Sequence, residues 1–229
     1  MPAMSRLAGS HPPDAAGLPR GRGRLPSVDV ALGQRERILR AMMSATAELG
    51  YHAVTVGDIV SRARISRAAF YRQFAGKLEC LIAAVEMGRD IVHPLLAAAA
   101  DRESTGDLPA ALRAIVRQHL AICMSEPEFT RAWGLELATA GPNTVELRNR
   151  LLDELASMIC SVVETHESRS STSTPRSFDY YVALIGGCQE LIYRRVMTGR
   201  IDRLGELEDP LVDFLLRSLG AAVGNEPGD

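Results

Sequence analysis

The chain has 229 residues, of which 46% are hydrophobic, 24% charged and 5% aromatic, with a formal net charge of −2. That balance suits a globular chain with one or two cored domains and excludes a disordered or fibrous one. No apolar run reaches the roughly 18 residues of a membrane helix and no signal-peptide core opens the chain, so a soluble cytoplasmic protein is expected.

Split by position, the charge is uneven. Residues 1–80 hold twelve basic and six acidic side chains, and residues 81–229 hold fourteen basic and twenty-two acidic ones. A basic front and an acidic back point to a polyanion at one end and a different partner at the other. The four cysteines, Cys80, Cys123, Cys160 and Cys188, lie too far apart for a metal knuckle or a dense disulfide framework. Free thiols are expected.

In chain order, residues 1–32 are rich in Pro, Gly and Arg without apolar periodicity and read as a flexible arm. Its Arg20, Arg22 and Arg24 are of the type that enters a minor groove, although a plain leader fits the composition better. A first helix from about residue 34 carries Ile38, Met42, Ala45 and Leu49 on one face and ends at Gly50. A second, short helix follows the N-cap Thr55, with Asp58 three residues on and Val56, Ile59, Val60 and Ala63 inward. Ser66 caps a third, Arg67 to Phe74, whose Phe70 and Phe74 point inward. A fourth begins near Lys77 and should bend or stop at Pro94.

Three further helices are expected at Asp107 to Met124, Pro127 to Ala140 and Asn143 to about Glu167. After a loop from Ser168 to Pro175, an eighth runs from about Ser177 to Thr198. A ninth starts near Asp209–Pro210, with Leu211, Phe214, Leu215 and Leu219 near one face. No alternating strand pattern is present. The fold class is all-α, in four parts: an arm (1–32), a small helical head (33–80), a helical body (81–222) and a tail (223–229).

The second and third helices, joined at Arg64-Ile65-Ser66, make a helix-turn-helix over residues 55–74. The first three helices share a small core and leave the start of the third free to enter a major groove. Arg67, Ala68, Tyr71 and Arg72 then face outward. An arginine can donate two hydrogen bonds to guanine, and the methyl of Ala68 can meet that of thymine. Tyr71 and Lys77 suit phosphate oxygens. Arg62, Arg64, Arg67, Arg72 and Lys77 fall within sixteen positions that hold no acidic residue. That is the electrostatic footprint of a nucleic-acid binder.

Residues 35–85 resemble the N-terminal domain of the tetracycline-repressor (TetR) family of bacterial transcription regulators. The resemblance rests on Ile38-Leu39, Gly50-Tyr51, Thr55 with Asp58-Ile59, Ile65-Ser66, the Phe70-Tyr71-x-x-Phe74 signature and Lys77. It implies a homodimer that binds palindromic double-stranded DNA, with Thr55, Ser66, Arg67, Ala68, Tyr71, Arg72 and Lys77 at the DNA. It also implies a small-molecule effector pocket in the body, and a fourth helix that swings when the pocket fills. The last two helices are implied to form the dimer interface, with which the pair Gly186-Gly187 is compatible. Three positions depart from the family pattern: Arg64 where glycine is usual in the turn, Ala69 where threonine is common, and Gly57 inside the second helix.

Candidate pocket residues are His119, Met124, Phe129, Trp133 and Tyr181, since large apolar side chains with a few polar groups suit a cavity between helices. Each could equally fill the core. No catalytic motif, metal-ligand spacing or phosphate-cradling loop is present, so no enzyme, cofactor or metal is expected. The reading is a ligand-responsive transcriptional regulator, a repressor, with a small, largely apolar effector. The alternative is a helical sensor or scaffold whose turn, distorted at Arg64, no longer presents Arg67 to DNA.

Overall fold

A computed structural model of the chain describes residues 7–10, 27–103, 107–170 and 175–220. Arg20, Arg22, Arg24 and the 223–229 tail lie outside these residues. The described residues are all-α: α1 (Ser27–Leu49), α2 (Val56–Ala63), α3 (Arg67–Tyr71), α4 (Lys77–Arg102), α5 (Leu108–Ser125), α6 (Pro127–Arg131), α7 (Pro142–Ser170), α8 (Phe178–Met197) and α9 (Glu208–Leu219). None of these helices is long and apolar enough to cross a membrane.

The chain divides into two compact units. The first joins Met1–Gly88 to Glu126–Val145, and the second joins Arg89–Ser125 to Glu146–Asp229. α4 and α7 each run from one unit into the other.

In the first unit, α1 to α3 enclose Ile38, Met42, Ile59, Phe70 and Phe74, all close to fully buried. The rings of Phe70 and Phe74 lie 5.7 Å apart. Each such side chain contributes about 1.5–3 kcal/mol on leaving water, which is what holds a five-residue α3 that could not stand alone. Leu49, expected inward, is 41% exposed. At that end of α1 the buried residues are Tyr51 and Val54 of the following loop.

The segment after α5 belongs to this first unit, and it departs from the single helix expected there. α6 lasts only to Arg131, followed by a π-helical turn, Ala132–Glu136, and a 3-10 turn, Leu137–Thr139. The change of winding aims polar groups at the loop after α1. Glu136 accepts the Tyr51 N–H at 2.9 Å and the Thr139 carbonyl meets His52 Nε2 at 3.0 Å, while Glu128, still within α6, accepts from the Ser44 hydroxyl at 3.2 Å. Apolar periodicity carries no signal for such a change, which depends on polar partners far along the chain.

Within the stretch read as a flexible arm, two parts are ordered. α1 begins at Ser27, seven residues before its expected start. Residues 7–10 are fastened to the first unit: Leu7 is 0% exposed and its N–H donates to the buried Glu126 carboxylate at 2.9 Å. The Gly9 N–H donates to the Arg40 carbonyl at 3.2 Å. A single leucine in a polar, proline-rich segment gives no periodicity to detect.

In the second unit α4 continues through Pro94 to Arg102. Proline inside a helix costs about 3 kcal/mol, and burial of Leu96, Ala99 and Ala100 beyond it offsets that. Before α9 lies a 3-10 turn, Ile201–Leu207, that buries Leu204 and Leu207. Asp209, near which the ninth helix was expected to start, sits inside α9, where Arg113 Nη1 donates to it. Glu208 accepts from Arg113 at 3.1 Å and from Arg117 at 2.7 Å, which ties α5 to α9. Arg117 foremost, with Arg113, holds the Glu208 carboxyl below its ordinary pKa although burial opposes this.

Candidate functional site

Thr55 has extended backbone and caps α2 through a complete capping box. Its hydroxyl donates to Asp58 Oδ2 at 2.6 Å, and its N–H donates to the same oxygen at 2.9 Å. These two bonds lead the effects that hold the Asp58 carboxyl below its usual range. The Thr55 hydroxyl, expected at the DNA, therefore spends its hydrogen on the cap. Ser66 caps α3 by accepting the Ala69 N–H at 3.1 Å, which leaves its own hydroxyl hydrogen to donate outward.

Arg64 closes the turn. It sits in the left-handed region at φ 52°, ψ 52°, where its N–H donates to the Ser61 and Val60 carbonyls. It is the single non-glycine residue at positive φ among the described residues. Of the two outcomes open at that position, the chain takes the strained one, at roughly 1–2 kcal/mol, and keeps the turn. Arg64→Gly removes that strain but adds glycine's unfolded-state entropy of about 0.5–1 kcal/mol. The variant is expected to be more stable by about 0.5–1 kcal/mol, a rise in Tm of roughly 2–4 °C at this size. A thermal melt checks this, and a fall would mean that the Arg64 side chain outweighs the strain.

With the turn closed, α3 turns one face outward. Arg67, Ala68, Tyr71 and Arg72 are exposed, whereas Ala69 and Phe70 are buried. Ala69 is thus a core residue, and the loss of threonine there removes nothing from the outer face. Gly57 also has a local reason. A Cβ at that position would come within 3.3 Å of both Arg67 Nη2 and Thr55 Oγ1, so glycine leaves room for the arginine.

The basic residues of the cluster, and Arg35 of α1, divide by partner. Arg62 is ion-paired with Glu48, and the Arg35 guanidinium lies 4.6 Å from the centre of the Phe74 ring. Lys77 points into the protein. Its Nζ donates to the carbonyls of Tyr51 at 2.9 Å, His52 at 3.1 Å and Val54 at 2.9 Å. It also sits 4.5 Å from the centre of the Tyr51 ring. An ammonium group has three hydrogens to donate, and here the loop after α1 takes all three. These bonds give Lys77 a structural role in holding that loop. Arg67 and Arg72 remain on the outer face.

The five expected pocket residues do not converge. Phe129 and Trp133 lie in the first unit, stacked with ring centres 6.3 Å apart. The Phe129 ring fills the notch of Gly88, where a Cβ would fall 2.1 Å from Cζ. Met124 is partly exposed, near Gly205. Tyr181 is buried, and burial, opposed by Arg176, raises its phenol pKa.

Of the five, His119 lines the cavity described next. This cavity, wholly within the second unit, encloses about 60 Å³ between α4, α5, α7, α8 and α9. Its wall includes Leu96, Ile115, Met158, Cys188, Gln189 and Ile192. Burial pushes the Cys188 thiol up to about 12, so it is neutral. His119 Nε2 is 3.8 Å from Cys123 Sγ, and its buried Nδ1 has no hydrogen-bond partner among the described residues. Burial lowers the imidazole pKa, but the Cys123 sulfur and Gln189 outweigh it and the net direction is upward. Gln189 could have been found from the sequence, as a polar residue among Ile185, Cys188 and Ile192 on the buried face of α8.

On the last two helices, Gly187 lies against the Phe214 ring of α9, and Gly186 has open space where a Cβ would be. Phe214, expected inward, is 38% exposed, and Leu191, one turn from Gly187, is exposed as well.

Comparison with known proteins places this geometry. Residues 38–84 match the family model of bacterial regulatory proteins, tetR family. Among solved structures, the fatty acid degradation regulator FadR from Bacillus halodurans is 19% identical, with a TM-score of 0.66 over 79% of this chain and 97% of that one. FadR from Bacillus subtilis, solved in complex with stearoyl-CoA, is 17% identical, with a TM-score of 0.67 over 80% and 97%. PfmR from Thermus thermophilus, a TetR-family regulator, is 20% identical, with a TM-score of 0.61 over 85% and 98%. No curated protein matches the chain. Residues 38–84 thus match the tetR family model of bacterial regulatory proteins, and the chain as a whole shares the all-helical fold of these regulators.

Proposed function

We propose that this protein is a ligand-responsive transcriptional repressor that binds a palindromic DNA operator as a homodimer. The observation that carries the reading is the outer face of α3: Arg67, Ala68, Tyr71 and Arg72 are exposed together on a short helix whose other side is core. Such a helix end fits a major groove, with arginine reading guanine edges and tyrosine taking a phosphate. The closed turn at Arg64 favours DNA binding over a sensor without it, because α3 keeps its outward face.

Homodimerisation through α8 and α9 is supported by the exposed Leu191 and Phe214 beside Gly187. A two-fold dimer presents two α3 helices to two half-sites, so the operator is palindromic. A largely apolar effector is supported by the cavity in the second unit, whose wall is almost wholly aliphatic. Release follows if the effector binds the DNA-incompetent arrangement better than the competent one. None of these roles requires a catalytic group, a cofactor or a metal.

The test is selection of binding sites by the full chain from a pool of random duplexes. The expected result is an enriched inverted repeat that the chain shifts in a gel as a dimer. Failure to enrich any sequence would overturn the reading.

A further inference from the structure

The cavity of the second unit has a composition that selects a ligand class, given that it is the effector site proposed above. Fourteen residues line it, and apart from His119, Cys188 and Gln189 all are aliphatic or methionine. No arginine or lysine is among them. A buried anion needs a charged or multiply hydrogen-bonded partner. The one ring in the wall that can carry charge already has Nε2 beside the Cys123 sulfur. A fully apolar ligand would leave the His119 Nδ1 as it stands, buried with no partner among the described residues, which is itself unfavourable.

We propose that the cavity takes an uncharged apolar molecule carrying a hydroxyl group, which bonds to His119 Nδ1 with the Gln189 carboxamide alongside. A hydroxyl both donates and accepts, so it satisfies Nδ1 in either ring tautomer. The space of about 60 Å³ is well below the roughly 150 Å³ of an apolar cavity that holds benzene. A ring-sized ligand therefore enters only as the surrounding helices spread. Occupation and helix displacement are then one event, which is the differential interaction a conformational response requires.

Three probes of one size separate the alternatives: phenol, benzene and benzoate, titrated calorimetrically into the full-length chain without DNA. Phenol is expected to bind about fivefold tighter than benzene, the worth of one buried hydrogen bond, and benzoate not at all. Phenol alone should move the ¹⁵N resonance of His119 Nδ1, and His119→Phe should erase the preference for phenol while keeping benzene binding. The ¹⁵N shift is read on the unmodified chain and stands if the variant fails to fold. Equal affinity for phenol and benzene, tighter binding of benzoate, or no binding of any probe would overturn the proposal. Because no DNA is present, this outcome is independent of the operator selection.

Discussion

Lys77→Met is expected to destabilise the first unit strongly and to leave the phosphate contacts of the folded protein unchanged. The ammonium holds three carbonyls of the loop after α1, at 2.9, 3.1 and 2.9 Å. Hydrogen bonds to charged groups contribute about 1.5–3 kcal/mol each. The desolvation of a partly buried lysine and its position at the positive end of α4 reduce the sum. A net loss of about 2–3 kcal/mol corresponds to a fall in Tm of roughly 5–10 °C for a chain of this size. The same loop is held from its other side by Glu136, so the Tyr51 backbone is gripped at both N–H and carbonyl.

A thermal melt reads the stability, and the salt dependence of DNA affinity, measured well below the melt, reads the role. Loss of a phosphate contact lowers the salt slope by about 1. For Lys77→Met the slope should not change. A slope reduced by one with an unchanged Tm would return Lys77 to the DNA.

Arg67→Ala is the second large effect, of opposite character. Arg67 is exposed at the first position of α3, with Gly57 leaving space beside its guanidinium. Truncation should leave the melt unchanged, because the core side of α3 is carried by Ala69 and Phe70. A bidentate arginine–guanine contact is worth about 1–3 kcal/mol of discrimination, so operator affinity should fall roughly tenfold to a hundredfold per half-site. Base preference should relax at one position of each half-site, read by competition among single-base operator variants. A uniform loss across all variants would show that Arg67 contacts the backbone instead.

Much of this molecule was legible in its sequence, and the limits have physical causes. The caps Thr55 and Ser66 and the inward Phe70 and Phe74 follow from local rules of spacing and hydrogen bonding, and each stands where those rules put it. The outward set Arg67, Ala68, Tyr71 and Arg72 follows from the same helical geometry. The inward direction of Lys77 was not legible, because a charge cluster says where cations lie along the chain and not which way each one points. The breakdown of the helix after α6 was hidden for a related reason. The turns there have Glu136 and Thr139 meeting the loop after α1, more than eighty residues away.

The pocket shows the limit most clearly. Trp133, Phe129 and Tyr181 are large and apolar, and size alone does not distinguish a residue that fills a core from one that borders a cavity. His119 and Gln189 of the cavity wall are polar side chains on otherwise apolar faces of α5 and α8. The Arg64 turn was open between two outcomes at the level of sequence. It resolves to the left-handed one because the Arg64 N–H and the Ser66 cap are both used there.

The uneven charge along the chain fits this division. The exposed arginines of α3 lie in the basic front, and the acidic back repels DNA, which favours approach by the head. The central claim is that α3 reads DNA sequence. Its most direct test is a titration of the full chain against an enriched duplex and a scrambled duplex of equal length, at two salt concentrations. The enriched duplex should bind at least about 10³-fold tighter, with both affinities falling steeply as salt rises. Equal affinity for the two duplexes would contradict it.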